Sequence, residues 1–262
     1  MNRGILEAHD AGTLSSASMM VTTPAFADAV ELVHTRAPRL GVGLHLNLVA
    51  GRPLTVAPTL VDPGTGAFHS LEQLAARALS GRVDGADVRR ECDAQLAALR
   101  RTGIVPTHLD SHRHSHALPG VLPAVLASAI ANDIRIVRRP LDAPTLADPG
   151  AAAKMLVLHA AWHAAMRGVD RAGRDLVARS PRFRGIALQG AKDVGPRLLA
   201  LLDRLPSRPT ELMLHPGHDD AVLAAQDPYR AERERELAVL TSSIVRARIA
   251  RGDIRLATFR DL

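Results

Sequence analysis

Residues 42–49 read VGLHLNLV. Leucines at alternate positions mark a β-strand, because side chains switch faces at each residue along an extended chain. Leu44, Leu46 and Leu48 fall on one face and are expected to pack under helices. Gly43, His45 and Asn47 fall on the other. A strand with one apolar face and an inward row of polar and small residues fits a sheet curved around a polar interior.

The flanking sequence alternates between helix and strand patterns. Helical spacing is predicted over 2–11, 24–35, 71–79, 86–101, 119–132, 151–178 (as one or two helices), 194–205 and 230–251. Strand character is predicted over 14–21, 104–110, 134–137, 183–188, 211–215 and 254–258. Strands separated by helices indicate an α/β fold with a largely parallel sheet. At 262 residues, with no linker, repeat or low-complexity stretch, one domain with a TIM-barrel-like β/α architecture is expected. The Pro- and Gly-rich stretch 51–69 is the longest irregular segment.

Two further strands carry polar residues on the same parity as His45. At 211–215, ELMLH places Glu211, Met213 and His215 opposite Leu212 and Leu214, with Pro216-Gly217 ending the strand. At 108–116, HLDSHRHSH holds four of the chain's 12 histidines. His108 and Asp110 point inward there, while His112, His114 and His116 lie on the loop that follows. Active sites of β/α barrels gather at the C-terminal ends of the strands, so His45, His112 and His215 are expected to meet at one mouth. Taken singly, each histidine reads as an ordinary core or strand-end residue; their coincidence points to chemistry. His9, His34, His69, His159 and His163 show no such pattern.

Composition narrows the classes. The formal charge is +6, but the basic residues are scattered and aromatics make up only 2%. A nucleic-acid binder needs a clustered basic face with stacking platforms, so none is expected. A single cysteine, Cys92, excludes an internal disulfide and a Cys-rich zinc site. No apolar run reaches membrane-spanning length and no signal-peptide order opens the chain, so a cytoplasmic protein is expected.

The blocks NRGILEAHDAG, TLSSASMMV, GVGLHLNLVAGRPL, PTHLDSHRHSH with LPGVLP after it, ELMLHPG and YRAERERELAVLTS occur in that order. Together they resemble the YdjC-like carbohydrate deacetylases, a family related in fold to polysaccharide deacetylases. The resemblance runs from Asn2 to about Leu262. It implies metal-dependent removal of an N-acetyl group from an amino sugar or oligosaccharide. It also implies a divalent metal, magnesium with zinc as the alternative, held by His45, His112 and an aspartate near the N-terminus. That aspartate comes from an Asp-Asp-Phe-Gly motif, which occurs nowhere in this chain. Asp10 and the Asp219-Asp220 pair are out of position for it. The expectation is therefore a single domain over 1–262 lacking the family's first strand, with the native start upstream.

In the chemistry so implied, His215 serves as general acid for the departing amine and Asp110 orients a neighbouring histidine. Asn47, His114, His116, Arg138 and Arg139 are the expected substrate contacts, and a homodimer is the expected assembly. Two rival readings follow from the missing aspartate. One is a non-catalytic carbohydrate-binding protein; the other is a different metal-dependent hydrolase, acting for example on phosphate esters.

Overall fold

The computed structural model describes residues 1–143, 148–219 and 228–262. Its first half is a parallel sheet of β1 (Ser16–Met19), β2 (Gly41–Leu46) and β3 (Leu109–Ser111), ordered β1-β2-β3. The register places His45 beside Asp110 and Ser18 beside Gly43. The second half holds a parallel pair, β4 (Arg182–Arg184) and β5 (Thr210–Leu212). Segment 136–138 flanks β3 on its other side: Leu109 N–H donates to the Ile136 carbonyl at 3.0 Å, and Arg138 N–H to the Leu109 carbonyl at 2.9 Å. Arg138 is thereby delivered next to Asp110.

The α/β class with parallel strands is as expected, but the closed barrel is not found among the described residues. The strands form two separate sheets, of three and two members. The strand expected at 134–137 reduces to a bridge between Leu109 and Val137, and 254–258 runs without a ladder. The predicted strand 104–110 is ordered as β only from Leu109. Its earlier part still pairs through Thr107 N–H to the Val42 carbonyl (2.8 Å), while Pro106 has no N–H to offer a ladder.

Helices form where local sequence supplies both a cap and an apolar stripe. The helix Leu71–Leu79 starts at Ser70, whose hydroxyl and the Gln73 side chain make a reciprocal capping box. The helix Gly85–Arg100 starts at Asp84, which accepts from Ala86 N–H. The region 151–178 divides into the helices Pro149–Ala165 and Arg171–Ala178, capped by Asp148 and Asp170. The region 230–251 breaks at Ser242, which caps the helix Ser243–Ile249 after Ala231–Thr241 ends.

Leu44, Leu46 and Leu48 are fully buried, as the alternation predicts, and pack with Val88, Leu96, Leu99, Leu109 and Leu122 in one large core. Smaller clusters lie around Leu188, Leu198, Leu237 and Leu240, and around Phe183, Ile186 and Met213. The helix Gly85–Arg100 also buries two carboxylates. Glu91 accepts from Leu54 N–H, Thr55 N–H and the Thr55 hydroxyl; Asp87 accepts from Thr59 N–H and its hydroxyl. They tie down the irregular stretch after β2 by satisfying the backbone donors of Leu54, Thr55 and Thr59.

Beneath the site, a Cβ at Gly43 would lie 2.5 Å from the His108 ring. That ring is stacked on Phe259 at 3.9 Å and held by the Thr107 hydroxyl at 2.9 Å. Gly43→Ala is therefore expected to destabilise the fold by about 1–3 kcal/mol, the usual cost of overpacking. An unchanged urea midpoint would show that the ring swings aside freely.

Candidate active site

β2 and β3 deliver His45 and Asp110 side by side. His45 Nδ1 lies 2.7 Å from Asp110 Oδ1, and the Ser18 hydroxyl donates to Asp110 Oδ2 at 3.0 Å. A carboxylate accepting from Nδ1–H leaves Nε2 as the lone-pair nitrogen. The His45 ring stands edge-on to His112, with centroids 5.7 Å apart. The two histidines expected as metal ligands are thus neighbours. No group of three His, Cys, Asp or Glu side chains able to hold a metal occurs among the described residues. The donor set is thus two nitrogens without a carboxylate, which suits zinc better than magnesium.

Behind His45 lies an ion array. Asp110 is fully buried and meets Arg138 Nη1 at 2.6 Å; Arg138 Nη2 meets Glu211 Oε1 at 2.6 Å. Burial alone would raise the Asp110 carboxyl, but Arg138 and His45 outweigh it and hold it well below the usual carboxylate range. For Glu211 burial prevails over Arg138, so its carboxyl is raised. Its Oε2 is buried without a hydrogen bond among the described residues. The array joins the two sheets, since Asp110 lies in one and Glu211 in the other.

The loop after β3 folds tightly. Arg113 and His114 both take left-handed backbone angles (φ 54° and 55°), which non-glycine residues seldom adopt. His116 is fully buried, bonded through Nδ1 to the Ser111 hydroxyl (2.6 Å) and through Nε2 to the Arg138 carbonyl (2.9 Å). Burial pushes its imidazole down to about 4. His114 packs edge-on to Phe183 and lines a cleft of 310 Å³ with Leu71, Arg113, Lys154 and Val157. A larger cleft, of 580 Å³, is lined by His9, Arg36, Arg39 and Thr258 at the opposite end of β1 and includes no residue of the site.

The expected site residues thus fall into distinct settings. His45, His112 and Asp110 are together. His215 follows β5, with a side chain 27% exposed and its Nδ1 3.8 Å from Glu236. Burial and the Arg233 and Arg138 cations push its imidazole down to about 3, so it is neutral at pH 7. Asn47 is buried and engaged: its amide donates to Thr22 Oγ1 and the Ala50 carbonyl, and its Oδ1 accepts from Val49 and Ala50 N–H. Arg138 is committed to protein carboxylates, and Arg139, half-buried, forms no ion pair among the described residues. Three members of this neighbourhood have no assigned role in the sequence reading: Ser18, Glu211 and Glu236. Strand parity alone puts Glu211 on the inward face. Ser18 alternates with Ser16, and Glu236 lies on the same helix face as buried Leu237 and Leu240.

An α/β protein with a histidine pair and a buried carboxylate at the strand ends has the makings of a hydrolase. The sequence profile of the family described as YdjC-like protein matches residues 1–251, and the chain belongs to that family. It is 35% identical over 266 residues to a carbohydrate deacetylase of Geobacillus stearothermophilus, covering all of this chain and 91% of the relative. A mouse carbohydrate deacetylase is 32% identical over 296 residues, again covering all of this chain and 90% of the relative. A solved Enterococcus faecalis structure, of a protein given a provisional role in cellobiose-phosphate cleavage, superposes with a TM-score of 0.77 at 25% identity. It covers 99% of this chain, and 92% of that structure is matched. No helix among the described residues is long and apolar enough to cross a membrane.

Proposed function

We propose that the protein is a carbohydrate deacetylase that hydrolyses an N-acetyl group of an amino sugar or oligosaccharide, with a divalent metal held by His45 and His112. The observation that carries this reading is the Asp110-oriented His45 facing His112 at the strand ends. Family membership supports it, since relatives along the whole chain are carbohydrate deacetylases. A metal at the pair supplies Lewis acidity toward the amide carbonyl.

The remaining steps belong to the chain itself. Asp110 fixes the His45 tautomer, and Arg138 fixes Asp110. His215, neutral at rest, takes up at Nε2 the proton of the water that attacks the carbonyl and returns it to the amine nitrogen as the C–N bond breaks, the water oxygen leaving in acetate. The test is acetate release from N-acetylglucosamine and its β-1,4 oligomers, run beside phosphate release from sugar phosphates. Acetate is expected; phosphate without acetate would overturn the reading in favour of a phosphoesterase.

One observation favours a non-catalytic alternative, namely that no third side chain among the described residues is placed to ligate an ion together with the pair. Sugar binding without acetate release, in a protein loaded with zinc or magnesium, would decide for it. The same donor set predicts metal preference. Calorimetric titration is expected to show zinc binding at least about tenfold tighter than magnesium, because imidazole suits zinc and magnesium prefers oxygen. His45→Ala is expected to abolish the zinc heat. Tight magnesium binding would require an oxygen ligand beyond the histidine pair.

A further inference from the structure

Glu236 is a carboxylate only 1% exposed, on the helix Ala231–Thr241, and its surroundings are unusual for a mere helix residue. Its Oε2 accepts the backbone N–H of His215, and its Oε1 accepts the Tyr229 hydroxyl. The Tyr229 oxygen in turn accepts Gly190 N–H at 2.6 Å, and its ring meets the His215 ring edge-on at 5.7 Å. The Arg233 guanidinium covers that ring at 5.3 Å, and the Arg233 carbonyl accepts Gly217 N–H at 3.3 Å. One face of the helix therefore holds the whole His215-Pro216-Gly217 turn.

A carboxylate that served the backbone alone would have no reason to lie beside the ring. Yet His215 Nδ1 is buried with no hydrogen bond among the described residues, and Glu236 Oε2 is 3.8 Å away. The solvent-reaching part of the ring is then the edge bearing Nε2.

We propose that Glu236 is the positioning residue for His215: it accepts from Nδ1–H, fixes that tautomer, and leaves Nε2 to exchange the proton with substrate. This rests on reading His215 as the group that protonates the departing amine. A base oriented by a third group is a recurrent arrangement, and the third group also stabilises the imidazolium that forms in transit. Glu236 touches no substrate and acts only through the imidazole.

The test uses ¹⁵N NMR of the imidazoles in the full chain, with the His215 signals assigned by their loss in His215→Ala. The unaltered chain is expected to show the Nδ1–H tautomer at His215. Glu236→Gln keeps the shape and an amide oxygen for the backbone, so folding is retained; as a weaker, uncharged acceptor it is expected to lower the share of the Nδ1–H tautomer. For acetate release, kcat should fall about 10–100-fold with KM within about twofold, the scale of losing an orienting partner. Glu236→Asp should restore part of both. If His215→Ala is inactive while Glu236→Gln leaves tautomer and kcat unchanged, the positioning role is overturned alone. Undiminished acetate release by His215→Ala overturns the reading of His215, and the inference with it.

Discussion

Asp110→Asn is expected to lower kcat/KM for acetate release by about 10–100-fold, the scale of losing the partner that orients a metal-ligating histidine. The reason is the number of donors that converge on this carboxylate: Ser18, His45 and Arg138. An amide offers one acceptor and two donors, so it cannot serve all three. His45 would then accept at Nδ1 and carry its proton at Nε2, the wrong nitrogen for a ligand. The stability cost is expected at about 3–5 kcal/mol, because Arg138 stays buried with only Glu211 against it.

The pH dependence of that gap has a definite sign. The Asp110 carboxyl is held below its unfolded value of 3.8, so its contribution is fully present above that value. It fades only as pH falls through the lower folded value. Urea unfolding should therefore show a constant gap between the two proteins from about pH 8 to 5, closing only in stronger acid. A gap that closed already near pH 6 would mean the carboxylate is not held by Arg138.

Arg138→Met should be comparably severe, at about 3–5 kcal/mol near pH 7, for the opposite reason. It removes the one cation between two buried carboxylates and leaves both uncompensated. Without it, burial raises the folded pKa of Asp110 and raises further that of Glu211, which is elevated even beside the arginine. A raised carboxyl favours the folded state below its unfolded pKa and loses that advantage as pH rises through the folded value. The variant should be weakest at neutral and alkaline pH and should recover toward the parent as pH falls toward the unfolded carboxyl values. Adding Glu211→Gln to Arg138→Met should return part of the loss at pH 7. If Arg138 served chiefly to contact sugar, the variant would instead keep its urea midpoint and raise KM.

Strand parity made much of this array legible. The alternation around His45 places it, Gly43 and Asn47 inward, and the same rule sends His108, Asp110 and Glu211 to meet them. What parity cannot give is occupancy. Asn47 shares a face with His45, yet it spends its amide on the turn at Val49 and Ala50. Arg138 follows a strand too short for its own parity to be read, and its partners lie 28 and 73 residues away along the chain. The same limit hides Glu236, whose partner His215 is 21 residues earlier on another element. Sheet closure is also beyond pattern reading, because it depends on how many strands pair and at what tilt.

The two consecutive left-handed residues at Arg113 and His114 reverse an ordinary rule of loop engineering. A non-glycine residue in that conformation costs roughly 1–2 kcal/mol, so the bend that aims His112 and buries His114 is a spring held compressed by its surroundings. His114 is clamped by burial, whereas Arg113 is half outside and paired with the exposed Glu72. Position 113 is thus a place where glycine would suit the folded backbone better than the resident side chain does. The histidines' alignment is held by a tension the sequence itself maintains.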